Sequence, residues 1–317
     1  MCSVPQSGGE IVVGTSATEL LLVERDRCTP LTGTHSSGEL WALASSPKRH
    51  TFATGGDDGR VKLWAAIDHA PLHQVALGRC VRAAQFSGDG ALLACGLADG
   101  SVTVFYVKEM SEAARFRNRS RPIHELKFSP ESSSGPTCLA VGCNDGAVDV
   151  HAVQQQFKLI GSCTSANQRT ADGKGQNVTH VDWTKDGKAL RVEYGTGRSA
   201  VFSVPQCKEL KALLDDNQWA SHTSPSSAAL EGVWPKVSSP TDINAVDVKT
   251  LGLNSQTLTV TADDAGRVKL FTGTRPRQTV RAHVHHVTNV RWAHDAAYLL
   301  SIGGLDHAIM QWTLTVK

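Results

Sequence analysis

Short stretches in which apolar and polar side chains alternate recur along the chain, each preceded by small residues and a turn built on aspartate. The pattern reads FATGGDDGRVKLW at 52–64, LACGLADGSVTVF at 93–105 and LAVGCNDGAVDVH at 139–151. It returns as TVTADDAGRVKLF at 259–271 and LLSIGGLDHAIMQW at 299–312. A degraded copy, LRVEYGTGRSAVF, lies at 190–202, and a copy without the aspartate, IVVGTSATELLLV, at 11–23. Alternation with a period of two places Val61 and Leu63 on one face of a strand. The Asp-Gly pairs at 58–59, 99–100 and 145–146 supply the positive φ of a tight hairpin. A further apolar strand fits upstream of most copies, at 40–43, 81–86, 123–128, 178–183, 243–246 and 287–292.

Spacing turns these hairpins into an architecture. The turn aspartates Asp58, Asp99 and Asp145 are 41 and 46 residues apart, and Asp264 and Asp306 are 42 apart. A period of about 40–45 residues with four strands per unit is that of WD40 blades. One blade cannot hide its own apolar face, so blades pack around an axis and bury it jointly. The reading is an all-β, seven-bladed WD40 β-propeller filling residues 1–317 as one domain. Its blades lie near 10–30, 35–75, 76–110, 118–155, 176–206, 241–275 and 283–317, with an insertion at 205–236 whose first part forms a short helix or outer strand and whose second part is a Ser-rich loop. Residues 1–9 are too few for a first strand plus a closing strand, and little follows Trp312. An incompletely closed, N-terminally truncated ring is expected, with the last blade short of its outer strand.

Charge changes this picture little. The 32 Lys and Arg against 30 Asp and Glu leave a net charge of +2, which argues against bulk nucleic-acid or membrane binding. The first residues lack the basic and apolar regions of a signal peptide, and no apolar stretch reaches the length of a membrane span. Eight cysteines at irregular spacing, Cys95 and Cys143 among them in strand-like runs, read as reduced core thiols of a cytosolic chain. On that reading the sequons at Asn118 and Asn177 are chance matches.

The polar residues inside the blades read as structure. In WD40 repeats, the positions held here by His35, Thr54, Asp58 and Trp64 form a buried relay from Asp to His to hydroxyl to Trp. Buried polar groups need partners, and a complete network fixes the blade. The last blade has His283, Asp306 and Trp312, with Ile302 where the hydroxyl is expected, so its relay reads as broken. Because the His–Asp pair recurs with the repeat, a catalytic reading is disfavoured. His283, His285 and His286 have no partner at ligand spacing, so no metal is expected. Neither GTGR at 195–198 nor GGDDG at 55–59 precedes a helix, so no phosphate loop and no cofactor are expected. No convergent catalytic set appears, and the chain reads as a binding protein rather than an enzyme.

Two surfaces are candidates for a partner. Loop positions at the top of the ring are held by the scaffold and free to specify binding: Glu39, Trp41, Asp57, His124, Asn144, Asp242, Asn244, Asp263 and His286. Trp41 is the best anchor among them, because aromatics dominate binding hot spots. Its bland reading is packing under the neighbouring blade. Arg115, Arg117, Arg119 and Arg121 stand at alternate positions, which on a strand share one face and suit an acidic polypeptide. Their bland reading is protection of a sheet edge.

Three stretches go beyond the general repeat: Ser37 to Ala44 (SGELWALA), EGVWPKVSSPTDINA at 231–245, and HVTNVRWAHDAAYLLSIGGLDHAIMQW at 286–312. Together they resemble the C-terminal propeller of the echinoderm microtubule-associated protein-like family, from about Glu10 to Lys317. The Val233-Trp234-Pro235 element followed by Thr241 to Ala245 is the most specific part. The resemblance implies a tubulin or microtubule partner, a place in the cytoplasm on cytoskeletal microtubules (axonemal ones included), and a second propeller upstream in full-length relatives. The other reading is a general WD40 protein–protein interaction scaffold without tubulin binding.

Overall fold

Each alternating run becomes one strand of an antiparallel meander in the computed structural model, which describes residues 3–5, 10–14, 20–24, 27–30, 35, 37–131, 136–165, 176–211, 215–224, 227, 230, 233, 243–251, 256–273 and 275–314. The first sheet comprises β1 (Ser3–Pro5), β2 (Glu10–Gly14), β3 (Leu20–Glu24) and β4 (Arg27–Pro30). Next come β5 (Leu40–Ser45), β6 (Thr51–Gly56), β7 (Arg60–Ala65) and β8 (Pro71–Ala76). The following sheet holds β9 (Val81–Phe86), β10 (Leu92–Leu97), β11 (Ser101–Tyr106) and β12 (Ser111–Arg117). Then follow β13 (Ile123–Phe128), β14 (Cys138–Cys143), β15 (Val148–Ala152) and β16 (Lys158–Cys163). The fifth sheet is β17 (Val178–Trp183), β18 (Ala189–Tyr194), β19 (Ser199–Ser203) and β20 (Glu209–Leu210). The sixth is β21 (Ile243–Leu251), β22 (Gln256–Asp263), β23 (Arg267–Thr272) and β24 (Arg275–Arg281). The last is β25 (Val287–Trp292), β26 (Tyr298–Gly303) and β27 (Ile309–Thr313).

The middle strands are buried along most of their length, whereas the outer strands β8 and β24 are exposed almost throughout. Polar residues and proline on an outer strand keep its open edge from pairing with another chain. The first residue of one inner strand packs against a fixed place on the previous blade. A Cβ on Gly55 would stand 2.6 Å from Val81, one on Gly96 2.6 Å from Ile123, and one on Gly142 2.8 Å from Val178. Glycine recurs there because only a missing side chain lets the blades approach so closely.

Among the described residues six blades, not seven, follow one another around the ring. β5 packs on β9, β9 on β13, β13 on β17 and β21 on β25, and β25 then packs directly on β5. The Leu40 amide donates to the Gly304 carbonyl at 3.1 Å across that last seam. The sheet of residues 3–30 is therefore not interposed where a seventh blade would stand. Its alternation is blade-like, but it lacks the aspartate turn that every other strong copy has. As expected, β27 ends a three-stranded blade: among the described residues no fourth strand pairs with it, and that blade is incomplete. β1 pairs with β2 and not with β27.

Between β17 and β21 the insertion acts as a wedge. At the glycine position of the β17–β20 blade stands Glu193, whose carboxylate accepts the Ser224 hydroxyl at 2.7 Å. Trp219 pairs with Thr184, and the Ala220 amide donates to the Trp183 carbonyl at 2.8 Å. On its other side the wedge packs Leu230 and Val233 against Val246 and Phe271. Of the expected short helix or outer strand, the outer strand is present as β20.

The thiol reading needs one correction. Cys163 and Cys207 form a disulfide with Cα atoms 4.6 Å apart, joining β16 to the turn after β19. Cys95 and Cys143 are buried and free.

Candidate protein-interaction surface

The end of the ring at which the inner strands begin gathers most of the expected rim residues. Trp41 is second in β5, where the ladder to β6 shifts register between Leu40 and Ala42. Such a bulge re-aims a side chain, and Trp41 lies half-buried at the rim. The Arg82 guanidinium stacks on its ring at 4.5 Å and pairs with Asp57 at 3.0 Å. Asp57 also accepts the Glu39 amide at 3.2 Å. His286 lies 3.4 Å from the Glu39 carboxylate, with its ring centroid 6.1 Å from that of Trp41. The indole Nε1 of Trp41 is buried without a hydrogen-bond partner. In the loops at this end of the last blade, Val284 and Leu305 are exposed apolar side chains. Burial, and then the Arg82 charge, hold His124 below the ordinary histidine pKa.

The remaining rim residues divide. Asn144 is half-buried, and its amide donates to the Pro122 carbonyl at 2.9 Å. Asn244 is exposed, and its side-chain amide donates to Asp264 at 2.8 Å and to the Val287 carbonyl at 3.0 Å. Asp242 lies outside the described residues. Asp263 is not on the rim: it is fully buried, accepts the amides of Ala265 and Arg267 at 3.0 and 2.9 Å, and pairs with Lys269 at 3.1 Å. Gly266, with positive φ, sets the frame: its amide bonds the Asp263 carbonyl as the Gly59 amide bonds that of Gly56. Asp263 thus ends a strand, and Asp264 is the counterpart of Asp57.

In the second sheet, His35 Nδ1–H donates to Asp58 at 3.0 Å, and its Nε2 faces the Thr54 hydroxyl at 2.9 Å. The Trp64 indole donates to the same hydroxyl at 2.8 Å. The last blade is not broken. Ser301, next to Ile302, lies 2.9 Å from His283 Nε2 and accepts the Trp312 indole at 3.0 Å, while His283 Nδ1 faces Asp306 at 3.1 Å. Its turn is one residue longer, so counting back from Asp306 lands on Ile302. Ile302 instead packs against Leu40 across the closing seam.

The four arginines do not share a strand face. β12 ends at Arg117, so Arg119 and Arg121 lie beyond it. Arg119 crosses to the next blade, where it bonds Asp149 (Nε at 2.8 Å) and pairs with Asp145 at 3.4 Å. The hydrogen bond to Asp149 raises its pKa above the usual arginine value. It thereby meets the turn aspartate of its blade as His283 meets Asp306. Arg115 is exposed and paired with Glu112 at 2.8 Å, and Arg117 Nε donates to the Arg119 carbonyl at 3.2 Å. Arg121 is exposed.

Sequence reasoning passed over Arg82, although it holds the same place in β9 that Trp41 holds in β5. It also missed the charges of the inner strands. Glu125 on β13 is half-buried; burial pushes its carboxyl up to about 7, against the pull of Lys127 and Arg291 and with the push of Asp182. Burial holds the neighbouring His180 down to about 4. A carboxyl raised from 4.5 to about 7 contributes stability below pH 4.5 that is lost as pH rises through about 7. Glu125→Gln removes that loss, so its melting temperature should gain more above pH 7 than near pH 5. Equal gains at both would sink this account. His180 contributes with the opposite sign, losing stability as pH falls below its ordinary value, and the variant leaves it in place.

Residues 40–314 match the family described as echinoderm microtubule-associated protein second beta-propeller. The chain is 29% identical over 317 residues to echinoderm microtubule-associated protein-like 3 of Homo sapiens, covering 96% of this chain and 34% of that protein. It is 30% identical over 315 residues to the rat (Rattus norvegicus) protein-like 2, covering 96% and 46%. The mouse (Mus musculus) protein-like 1 is 28% identical over 317 residues, covering 96% and 37%. The chain thus spans between a third and a half of the length of the curated relatives it matches. A chain of a mitotic checkpoint complex crystal structure shares the fold, with a TM-score of 0.66 at 13% identity over 87% of each chain. With the match running through all six ring blades, the chain belongs to the echinoderm microtubule-associated protein family, as a second β-propeller of that family.

Proposed function

We propose that this chain is a non-enzymatic microtubule- or tubulin-associated propeller of the cytoplasmic cytoskeleton, and that it engages its partner through the rim around Trp41. The observation that carries the reading is the cluster of Trp41, Arg82, Asp57, Glu39 and His286. A half-buried indole with a guanidinium stacked on it, at the end of the ring that also exposes Val284 and Leu305, offers apolar area next to charge. Aromatic anchors of this kind dominate interface energetics. His124, Asn144 and Asn244 extend the same rim. Membership of a microtubule-associated family supports tubulin as the partner.

Arg115, Arg117 and Arg121 form a second, purely electrostatic contribution toward acidic polypeptide, separate from the structurally committed Arg119. Such contacts are screened over about 8 Å at physiological salt.

The test is co-sedimentation of the purified chain with polymerised tubulin at low and moderate salt. Wild type should pellet, Trp41→Ala should lose roughly thirtyfold in affinity, as for a hot spot of about 2 kcal/mol, and Arg82→Gln should lose less. The triple Arg→Gln variant at 115, 117 and 121 should be impaired at low salt only. A wild-type chain that stays in the supernatant would turn the reading toward a general WD40 interaction scaffold. A Trp41→Ala variant that pellets like wild type would remove the rim from the proposal.

A further inference from the structure

Opposite the rim, at the other end of the closing seam, two imidazoles and a carboxylate converge from two blades. His50 comes from the turn between β5 and β6, and His294 and Asp295 from the turn between β25 and β26. One ligand atom from each lies within 4.8 Å of the other two. His50 Nε2 stands 3.6 Å from the Asp295 carboxylate, and the two imidazole centroids are 4.9 Å apart. Tetrahedral ligands at about 2.0–2.1 Å from zinc are about 3.3 Å from one another, so small side-chain rotations bring the set to bonding distance.

A second observation points the same way. Nδ1 of His50 and Nδ1 of His294 are both buried with no hydrogen-bond partner, as is the hydroxyl of nearby Tyr298. A buried polar atom without a partner is costly; the His294 Nδ1 has none to give up to a ligand, while His50 turns its Nε2 to Asp295. Lys249 from the neighbouring blade donates to the His294 carbonyl and fixes the turn that carries two of the three groups.

We propose that His50, His294 and Asp295 bind one divalent transition-metal ion, zinc fitting best, and that the ion clips the last ring blade to the first. Two nitrogens and one carboxylate suit a borderline cation, whereas calcium and magnesium prefer oxygen ligands throughout. Three protein ligands leave a fourth position for water. The location gives the ion its purpose: among the described residues β27 has no outer strand beside it, and this seam joins residues far apart in the chain.

The experiment uses the full chain freed of metal by a chelator and titrated with zinc chloride at neutral pH by calorimetry. One equivalent should bind at about micromolar or tighter affinity, with a rise in melting temperature by mass action. His50→Ala and His294→Ala should each weaken binding at least about tenfold and abolish the thermal rise. His285→Ala, an exposed histidine at the opposite end of the ring, should bind as wild type. Cobalt(II) should give the visible absorption of a tetrahedral site in wild type and not in His294→Ala. Absence of a stoichiometric site in the wild-type chain overturns the proposal, leaving an ordinary His–Asp pair. So does binding that survives in both alanine variants.

Discussion

Asp182→Ala is expected to destabilise the chain by about 3–5 kcal/mol, the scale on which breaking a buried ion pair leaves a charge uncompensated. Asp182 is fully buried and accepts from five groups. The Ser221 hydroxyl donates at 2.6 Å, the Thr223 amide at 3.0 Å, the Thr223 hydroxyl at 2.9 Å, the Ser224 amide at 3.0 Å and Arg191 at 2.9 Å. Burial pushes its pKa up, yet Lys127, Arg191 and Ser221 together hold it below the ordinary carboxylate value. The carboxylate is therefore the charged hub on which the insertion sits. Arg191 reaches the same segment from the other side, stacking on Trp219 at 4.4 Å. Removing the carboxylate takes away the ion pair of Arg191 and releases the wedge that separates β17 from β21. The measurement is urea unfolding with wild type and Asp182→Asn alongside. Asn keeps some of the hydrogen bonds but not the charge, so it should fall between the two. An Asp182→Ala midpoint equal to wild type would show that the wedge is held by its apolar contacts alone.

That hub shows where sequence reading stops. Asp182 and Ser224 are 42 residues apart, and no local pattern ties a strand residue to a Ser-rich loop. What is legible is what local physics forces. The turns at 58–59, 99–100 and 145–146 are where they were expected, because positive φ at Gly59, Gly100 and Gly146 leaves few residue choices. The seven strand groups were legible through alternation, but membership of the ring was not. Alternation at 11–23 reports a half-buried strand and says nothing of which neighbour covers it. The blade that β25 meets is fixed by packing between Ile302 and Leu40, and no period in the sequence records that pairing. The arginines failed for a similar reason. Alternate spacing places Arg115 and Arg117 on β12, but the strand ends there, and Arg119 turns to two aspartates of the next blade. Trp41 was legible as a candidate anchor because a large aromatic at the start of an inner strand is conspicuous. The arginine stacked on it was not, since one basic residue in VRAAQF carries no signal alone.

Ser301→Ala should cost roughly 2–6 kcal/mol, two buried groups losing their partner at about 1–3 kcal/mol each. Ser301 is fully buried, and its hydroxyl stands between His283 Nε2 at 2.9 Å and the Trp312 indole at 3.0 Å. The oxygen must donate to the imidazole and accept from the indole, because Asp306 takes the proton on Nδ1. Burial holds His283 below its ordinary pKa, which keeps Nε2 an acceptor at neutral pH. Alanine removes donor and acceptor together and leaves both rings facing a methyl group. Ile302→Val, one residue along, deletes a single methyl group at the seam and should cost only about 0.5–1.5 kcal/mol. The pair of variants separates the two frames in which this blade can be read. If Asp306 fixed the count, residue 302 would hold the hydroxyl's place, and Ser301→Ala would be nearly silent. If the longer turn fixes it, Ser301→Ala is the larger loss, and Ser301→Thr, which keeps the hydroxyl, recovers most of it. Chemical unfolding of the three variants decides between the frames, and a Ser301→Ala loss no greater than that of Ile302→Val would reject the relay described for this blade.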